Sequence, residues 1–319
     1  MIIMSNKNGK YIVSVCVITY NSEATIVDTL ESILSQNYES GYIELIISDD
    51  YSNDSTSHII SSWLEDNSAK FANVIFHQSA MNLGITKNCN AAWRLSSGEW
   101  VKTIAGDDIL LNTCISDNIT YAQKNSIDSV IFSKMQVFKT DVNNIQIDLN
   151  ILPSKFQQKI LCGSSEEQLH YLRNAEGLSV APSVFIHRDL LAFVGYGDER
   201  FLMIEDYPLW IRILESGKKC YFLNKLTVKY RKNESASRSM DLIFNMRHLI
   251  QRLNIDLELN RDKIGFFVKI RKIISYSLLL LICYFFGAKK NKISYFFYTI
   301  AMIFKPYWLK QKIYSVFYK

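Results

Sequence analysis

Two places in the chain set acidic side chains side by side where a backbone element ends or begins. Asp107 and Asp108 follow Val101-Lys102-Thr103-Ile104-Ala105-Gly106, a short strand pattern that runs into a glycine. Adjacent carboxylates repel, and they stay ionised together most easily when a cation lies beside them. A hard divalent ion held by one or two carboxylates completes its shell with water and phosphate oxygens. The pair therefore points to a metal-bound diphosphate; a solvated Asp-Asp turn is the plain structural reading of the same residues. The second place is Glu205-Asp206-Tyr207-Pro208-Leu209-Trp210-Ile211-Arg212. Asp206 is a good helix N-cap, Pro208 is tolerated in a first turn, and Trp210, Ile213 and Leu214 share one apolar face. A helix N-terminus is also a good place to hold a catalytic carboxylate.

These residues need elements to position them. Residues 11–20 form an apolar, β-branched run typical of a buried parallel strand, ending in the polar Thr19-Tyr20-Asn21-Ser22. Ile26, Leu30, Ile33 and Leu34 make the helical stripe that follows, with Ser22 placed to cap it. Residues 42–48 read as the second strand, opening into the turn-rich Asp49-Asp50-Tyr51-Ser52-Asn53-Asp54-Ser55-Thr56. A helix to about residue 64, a strand at 73–77, a helix at 84–95 and a strand at 99–104 continue the alternation. That order predicts right-handed βαβ units and a parallel sheet. Ligands of such sheets bind outside the C-terminal strand ends. The polar clusters at 19–21, 49–54 and 107–108 are thus expected to face one crevice. Beyond them, a helix and a strand over 112–138 precede a weakly periodic stretch at 139–177, and residues 185–188 return to the sheet.

The residues Val15-Cys16-Val17-Ile18-Thr19-Tyr20-Asn21, Ser48-Asp49-Asp50-Tyr51-Ser52-Asn53-Asp54-Ser55, Asn82-Leu83-Gly84 and Gly106-Asp107-Asp108 resemble, in order and spacing, family 2 glycosyltransferases. The resemblance implies a GT-A fold: a Rossmann-like α/β domain with a mixed, mainly parallel sheet flanked by helices. It also implies inverting transfer from a nucleotide-diphosphate sugar, a UDP-sugar foremost, with Mn2+ or Mg2+. By the same resemblance, Thr19 and Asn21 line the nucleotide pocket, and Asp49 or Asp50 accepts from the base. Of Asp107 and Asp108, one contacts the ribose and one, Asp108 in preference, holds the metal. Ala105 stands where many members carry the first Asp of this region, and Cys89 where many carry Arg. Lys87 is placed to supply that positive charge, or is a solvated surface lysine. The Glu205-Asp206 pair resembles the family's ED motif, giving Asp206 the role of general base and Glu205 that of helper. Tyr230-Arg231-Lys232-Asn233 resembles a late YR-x-H stretch without its His; Arg231 and Lys232 are expected as a basic lid over the diphosphate, or as a plain basic loop.

Composition divides the chain. Residues 261–319 carry twelve Lys or Arg and one acid, a net +11 against +5 for the whole, which leaves −6 for residues 1–260. The basic end is also the apolar and aromatic end, which fits an anionic membrane surface better than nucleic acid. Residues 273–288 carry no charge but fall short of the ~20 residues that cross a bilayer. Interfacial helices are expected there, with a dimer-forming helix pair or one tilted span as competing readings. Six scattered cysteines without a CxxC argue against a zinc site or disulfide framework, and residues 1–10 lack a signal-peptide core. The expected layout is a glycosyltransferase domain at 1–240, with a nucleotide-sugar half at 1–110 and an acceptor half at 111–240, then a helical membrane-associating region at 241–319. The expected setting is the cytoplasmic face of the plasma membrane, with a glycan or polyprenyl-diphosphate-linked acceptor in surface-polysaccharide assembly. Homo-oligomers are compatible with this layout. Two other classes compete: a non-catalytic sugar-nucleotide-binding scaffold, and a nucleotidyltransferase, which wants a Gly-rich basic loop that Thr19-Tyr20-Asn21-Ser22 is not.

Overall fold

A computed structural model describes residues 10–141, 143, 145–175, 177–232, 242–305 and 307–317. Asn233 and the expected domain boundary at 240–241 lie outside them.

The N-terminal half alternates strand and helix: β1 (Val13–Thr19), α1 (Ile26–Leu34), β2 (Ile43–Asp49), α2 (Thr56–Asn67), β3 (Asn73–Gln78), α3 (Ile85–Leu95) and β4 (Trp100–Ala105). β1 pairs in parallel with β2 and β4, and β2 with β3. Both faces of these strands are covered, which is why they read as continuous apolar runs. Val15, Val17, Leu45 and Ile47 enter a core shared with Leu30 of α1 and Trp63 of α2. The alternate residues Cys16 and Ile46 enter the opposite core with Trp93 of α3.

The chain continues through β5 (Ile109–Leu110), α4 (Cys114–Lys124), β6 (Val130–Thr140), β7 (Gln146–Leu152), α5 (Lys155–Cys162) and α6 (Ser165–Ala175). β8 (Phe185–His187), α7 (Arg188–Phe193), α8 (Asp206–Glu215) and β9 (Cys220–Arg231) complete the sheet region. The strand order is β3-β2-β1-β4-β8-β6-β9-β5, with β7 paired to β6. β8 joins the two halves, antiparallel to both β4 and β6, while β9 runs parallel to β6. The mixed, mainly parallel sheet flanked by helices is as expected. β9 was not legible beforehand. Register shifts around Lys134 and an irregular burial pattern erase the period of two that would mark it.

Four helices follow or close the chain: α9 (Met246–Ile255), α10 (Phe266–Phe286), α11 (Lys292–Phe304) and α12 (Trp308–Phe317). α10 buries Tyr276, Leu279 and Ile282 against Leu249 of α9 and Ala301 of α11. Residues 273–288 thus form most of a helix with one face on protein, and no helix among the described residues is long and apolar enough to cross a membrane. An ion pair inside this region organises its contacts with the sheet domain. Lys272 Nζ donates to both oxygens of Asp256 (2.8 and 2.9 Å), a buried pair, and to the Arg173 carbonyl of α6 (2.7 Å). Asn260 Nδ2 bridges Asp256 to the Tyr207 hydroxyl, at 2.8 Å to each.

Candidate active site

The strand ends are level because the ladder sets them so. Thr19 stands opposite Asp49, and Ile18 opposite Ala105. Each exit is tied to its neighbour: the Asp50 N–H donates to the Thr19 carbonyl (3.0 Å) and the Gly106 N–H to the Ile18 carbonyl (2.9 Å). A Cβ on Gly106 would lie 2.8 Å from Thr19 Oγ1, so a larger residue would force the exit of β4 away from β1. The three polar clusters therefore meet at one edge of the sheet.

Their side chains hold one another. Asp49 is buried and accepts from the Ser52 hydroxyl, the Ser52 N–H (3.2 Å) and the Ser57 hydroxyl (2.8 Å). Ser52 also accepts the Asn21 N–H (2.8 Å), and Asn21 takes the Asn53 N–H on its side chain (3.0 Å). Asp50 accepts the Leu83 and Gly84 N–H groups, one on each oxygen, at 2.8 Å. Burial raises its carboxyl above the ordinary range, and those two donors oppose the rise. Gly84 adopts φ +89° with the Leu202 carbonyl 3.1 Å from where a Cβ would be, so this turn also requires glycine. Asn88, which the sequence did not single out, is buried in α3 and donates to the Thr19 (3.3 Å) and Ser48 (3.1 Å) carbonyls. Thr19 Oγ1 is buried without a partner.

Asp108 is fully buried. Its Oδ1 accepts the Arg231 N–H at the end of β9 (2.8 Å), and its Oδ2 has no partner. Asp107 is only half-buried. Burial pushes both carboxyls up; Asp107 raises Asp108 further, and Arg231 pulls Asp107 back. Arg231 is no lid. Its guanidinium is buried and committed to the Asp107 carbonyl (2.7 Å), Thr140 Oγ1 (2.7 Å) and Asp28 (2.8 Å). Behind Asp108 lies Lys102, fully buried in β4, with Nζ donating to the carbonyls of Thr103 (3.0 Å), Pro182 (2.6 Å) and Val184 (3.3 Å). Burial lowers its pKa, while Asp108 helps hold its charge. A lysine inside an apolar strand was the one signal that could have marked it.

Glu205, rather than Asp206, takes the N-cap position of α8, and Asp206 is the first helical residue, its Oδ1 accepting the Tyr207 N–H (2.7 Å). Two bonds from α3 set the approach to this pair: Thr86 donates through its N–H to the Leu202 carbonyl (3.1 Å) and through its hydroxyl to the Phe201 carbonyl. Asn90 pins the turn before it, exchanging bonds with Gly197 (2.7 and 3.0 Å) and donating to Glu199 (2.8 Å). Glu205 is pushed up to about 8 by burial and by Asp206; Asp206 is raised by burial and drawn back by Arg252. Cys89, buried in the core, has its thiol raised by burial first and then by Glu205, Cys16, Asp206 and Asp50. Lys87 on α3 acts instead on Glu199, so the cation this fold brings to Asp107 is Arg231.

Asp206 opens into a cavity of about 960 Å3. Its walls include residues 179–182, anchored by Lys102, and Tyr230 and Lys232, which flank Arg231 at the end of β9. Asp107 and Asp108 do not themselves line this cavity; Arg231, between Tyr230 and Lys232, is what binds both of them.

The sequence model of glycosyl transferase family 2 matches residues 14–174. The chain belongs to this family. It is a glycosyltransferase, and among its relatives is WfaP of Escherichia coli, named a UDP-Glc:alpha-D-GlcNAc-diphosphoundecaprenol beta-1,3-glucosyltransferase, 29% identical over 69% of this chain and 77% of that one. The uncharacterized glycosyltransferase MJ1057 of Methanocaldococcus jannaschii is 25% identical over 72% of this chain and 73% of its own. Among solved structures, residues 1–349 of S. aureus TarS in complex with UDP-GlcNAc superpose with a TM-score of 0.58 at 20% identity, covering 91% of this chain and 79% of that one, a likeness of fold. Two departures from the family 2 pattern have a structural form here. Ala105 is exposed at the end of β4 and offers no ligand. Cys89 is core, 3% exposed, and replaces no arginine charge.

Proposed function

We propose that this family 2 enzyme transfers a sugar from a UDP-sugar, with inversion, to a hydroxyl of a lipid-linked saccharide in surface-polysaccharide assembly. The observation that carries the reading is Asp206, half-buried at the start of α8 and lining a cavity that Tyr230 and Lys232 also line, on either side of the Arg231 that binds Asp108. Asp206 takes the proton of the acceptor hydroxyl as the new bond forms, a step in which a well-placed base is worth ~10²–10⁴-fold. Glu205, still protonated near neutrality, donates a hydrogen bond that orients the base or the acceptor. On the donor side, Thr19, Asn21, Asp49 and Asp50 form the nucleotide rim.

The residues present fit a divalent ion. Asp108 Oδ2 lacks a partner and Asp107 is half open, so these two would hold Mn2+ or Mg2+. No cluster of three or more ligating side chains occurs among the described residues, so the diphosphate and water must complete the shell. Such an ion, when bound, offsets charge on the departing diphosphate. The name of WfaP supports both the UDP-sugar and a diphospholipid-linked acceptor.

The exposed faces of the C-terminal helices support a setting on the cytoplasmic face of a membrane. Phe266, Phe267, Tyr284, Phe285 and Phe296 are each more than 60% exposed, and Lys269, Lys289 and Lys292 lie among them. That combination suits helices lying in an anionic interface.

Asp206→Asn tests the chemistry. Transfer should fall by at least about 10³-fold while UDP affinity stays within about twofold by titration calorimetry. A fully active Asp206→Asn enzyme would remove the base assignment, and loss of UDP binding would show that the change acts on the fold. A wild-type chain that binds UDP-sugars yet neither transfers nor hydrolyses them would favour a scaffold role.

A further inference from the structure

We infer that the C-terminal helices form the acceptor half of this active site: the cavity they close beside Asp206 takes an amphiphile carrying a diphosphate, with Arg252, Lys290 and Lys305 around the anion and apolar walls from α9 to α11 around its chain. The inference rests on the reading of Asp206 as the base, and it adds where the acceptor sits and what holds it.

Among the described residues lining the cavity, Asp206 is the single carboxylate, while Lys232, Arg252, Lys290 and Lys305 are cations and His248 adds a titratable ring. The rest of the wall is largely apolar or aromatic, including Phe244, Leu249, Leu279, Tyr298 and Met302. A neutral sugar needs neither cations nor this apolar surface, whereas a diphosphate on a hydrocarbon chain uses both. The volume, about 960 Å3, is at the upper end of small-ligand sites and exceeds what one sugar ring fills.

Arg252 is the cation that draws back the Asp206 carboxyl. It comes from α9, outside the segment matched by the family model. Its guanidinium lies 5.2 Å from the centroid of Tyr207, the residue after Asp206, and one terminal nitrogen, Nη1, is buried without a hydrogen-bond partner. A buried guanidinium donor left unpaired is costly, and a phosphate oxygen is the acceptor it suits best. The wall that carries it is not a loose appendage. Asn260 and Asp256 hold the Tyr207 hydroxyl, and Lys272 and Tyr276 (2.8 Å) hold Asp256, so α9 and α10 are built onto the start of α8. α10 then turns Tyr276 and Leu279 to the cavity while Phe267, Ile273 and Tyr284 stay exposed, so one helix faces both the acceptor site and the proposed membrane.

The test is calorimetric titration of the full chain, saturated with UDP and Mn2+, using farnesyl diphosphate, inorganic diphosphate and farnesol as separate probes. Farnesyl diphosphate should bind at least about tenfold more tightly than either fragment, since both halves of the cavity contribute. Arg252→Met should weaken it by about 10–100-fold, the worth of a charge-assisted contact, and Arg252→Lys by less. Should Arg252→Met fail to fold, the double variant Lys290→Met/Lys305→Met carries the same expectation of weakened binding. No binding of farnesyl diphosphate, affinity equal to that of inorganic diphosphate, or variants that bind as the wild type each overturn the inference. The readout needs no turnover, so it separates from the base assignment. An active Asp206→Asn enzyme with intact farnesyl diphosphate binding sinks the base and keeps the cavity; the reverse pair of results keeps the base and sinks the cavity.

Discussion

Glu205 and Asp206 share a desolvated corner, and this sets how the protein responds to pH. Glu205 has an ordinary value of 4.5 and is pushed up to about 8 when folded. Between those values the folded chain keeps a proton that the unfolded chain has lost, so stability falls as pH rises through that window. Glu205→Gln removes the titration. Its melting temperature should decline less than that of the wild type between pH 5 and 8, and scanning calorimetry across that range is the check; an unchanged slope would mean that Glu205 ionises normally. The adjacent acids at the other strand end behave differently because their surroundings differ. Asp108 spends one oxygen on the Arg231 N–H, while Asp107 stays half open, a division of labour that two neighbouring letters in a sequence do not reveal.

Helix α3 is the element that couples the donor edge to the Glu205-Asp206 pair. At one side Asn88 staples the ends of β1 and β2, and at the other Thr86 and Asn90 hold the chain running into α8. Thr86→Val keeps the shape but leaves the Phe201 carbonyl without its hydroxyl donor, a loss of about 1–3 kcal/mol. Because the displaced segment carries the proposed base and not the proposed nucleotide rim, kcat should drop several-fold with little change in the KM for the UDP-sugar. Steady-state kinetics with a thermal melt would measure both; a raised donor KM with unchanged kcat would contradict the assignment of α3. The sequence predicted this helix well, since its apolar residues recur at helical spacing. What its buried polar residues grip was not readable, because Phe201 and Gly197 lie more than a hundred residues away.

At the scale of the whole molecule, the C-terminal helices are tied to the sheet domain where Lys272 donates to the Arg173 carbonyl and where Asp256 and Asn260 hold the Tyr207 hydroxyl, around a buried Lys272–Asp256 pair with side chains 4% and 7% exposed. The outward face of α10 and α11 presents aromatic rings among lysines. The full chain should sediment with vesicles containing anionic lipid and not with neutral ones, and moderate salt should weaken binding, since each lysine near the surface is worth about 1 kcal/mol that ions screen. Phe266→Ser/Phe267→Ser/Tyr284→Ser should reduce sedimentation without shifting the melting temperature, because those rings are exposed. Equal binding to neutral and anionic vesicles, or none to either, would refute an electrostatic interfacial face.

The sequence by itself determined the sheet edge proposed to hold the donor. Strand periodicity, glycine-bearing turns and the clusters at Thr19, Asp49-Asp50 and Asp107-Asp108 are local features, and a parallel sheet has only one edge on which to set them. Tertiary structure alone decided the side proposed for the acceptor: that β9 returns to place Arg231 under Asp108, that Lys102 anchors the wall behind it, and that α9 brings Arg252 to Asp206. These contacts join residues far apart in the chain, and no local pattern records them, because what selects them is the burial of charge among partners that only the folded molecule assembles.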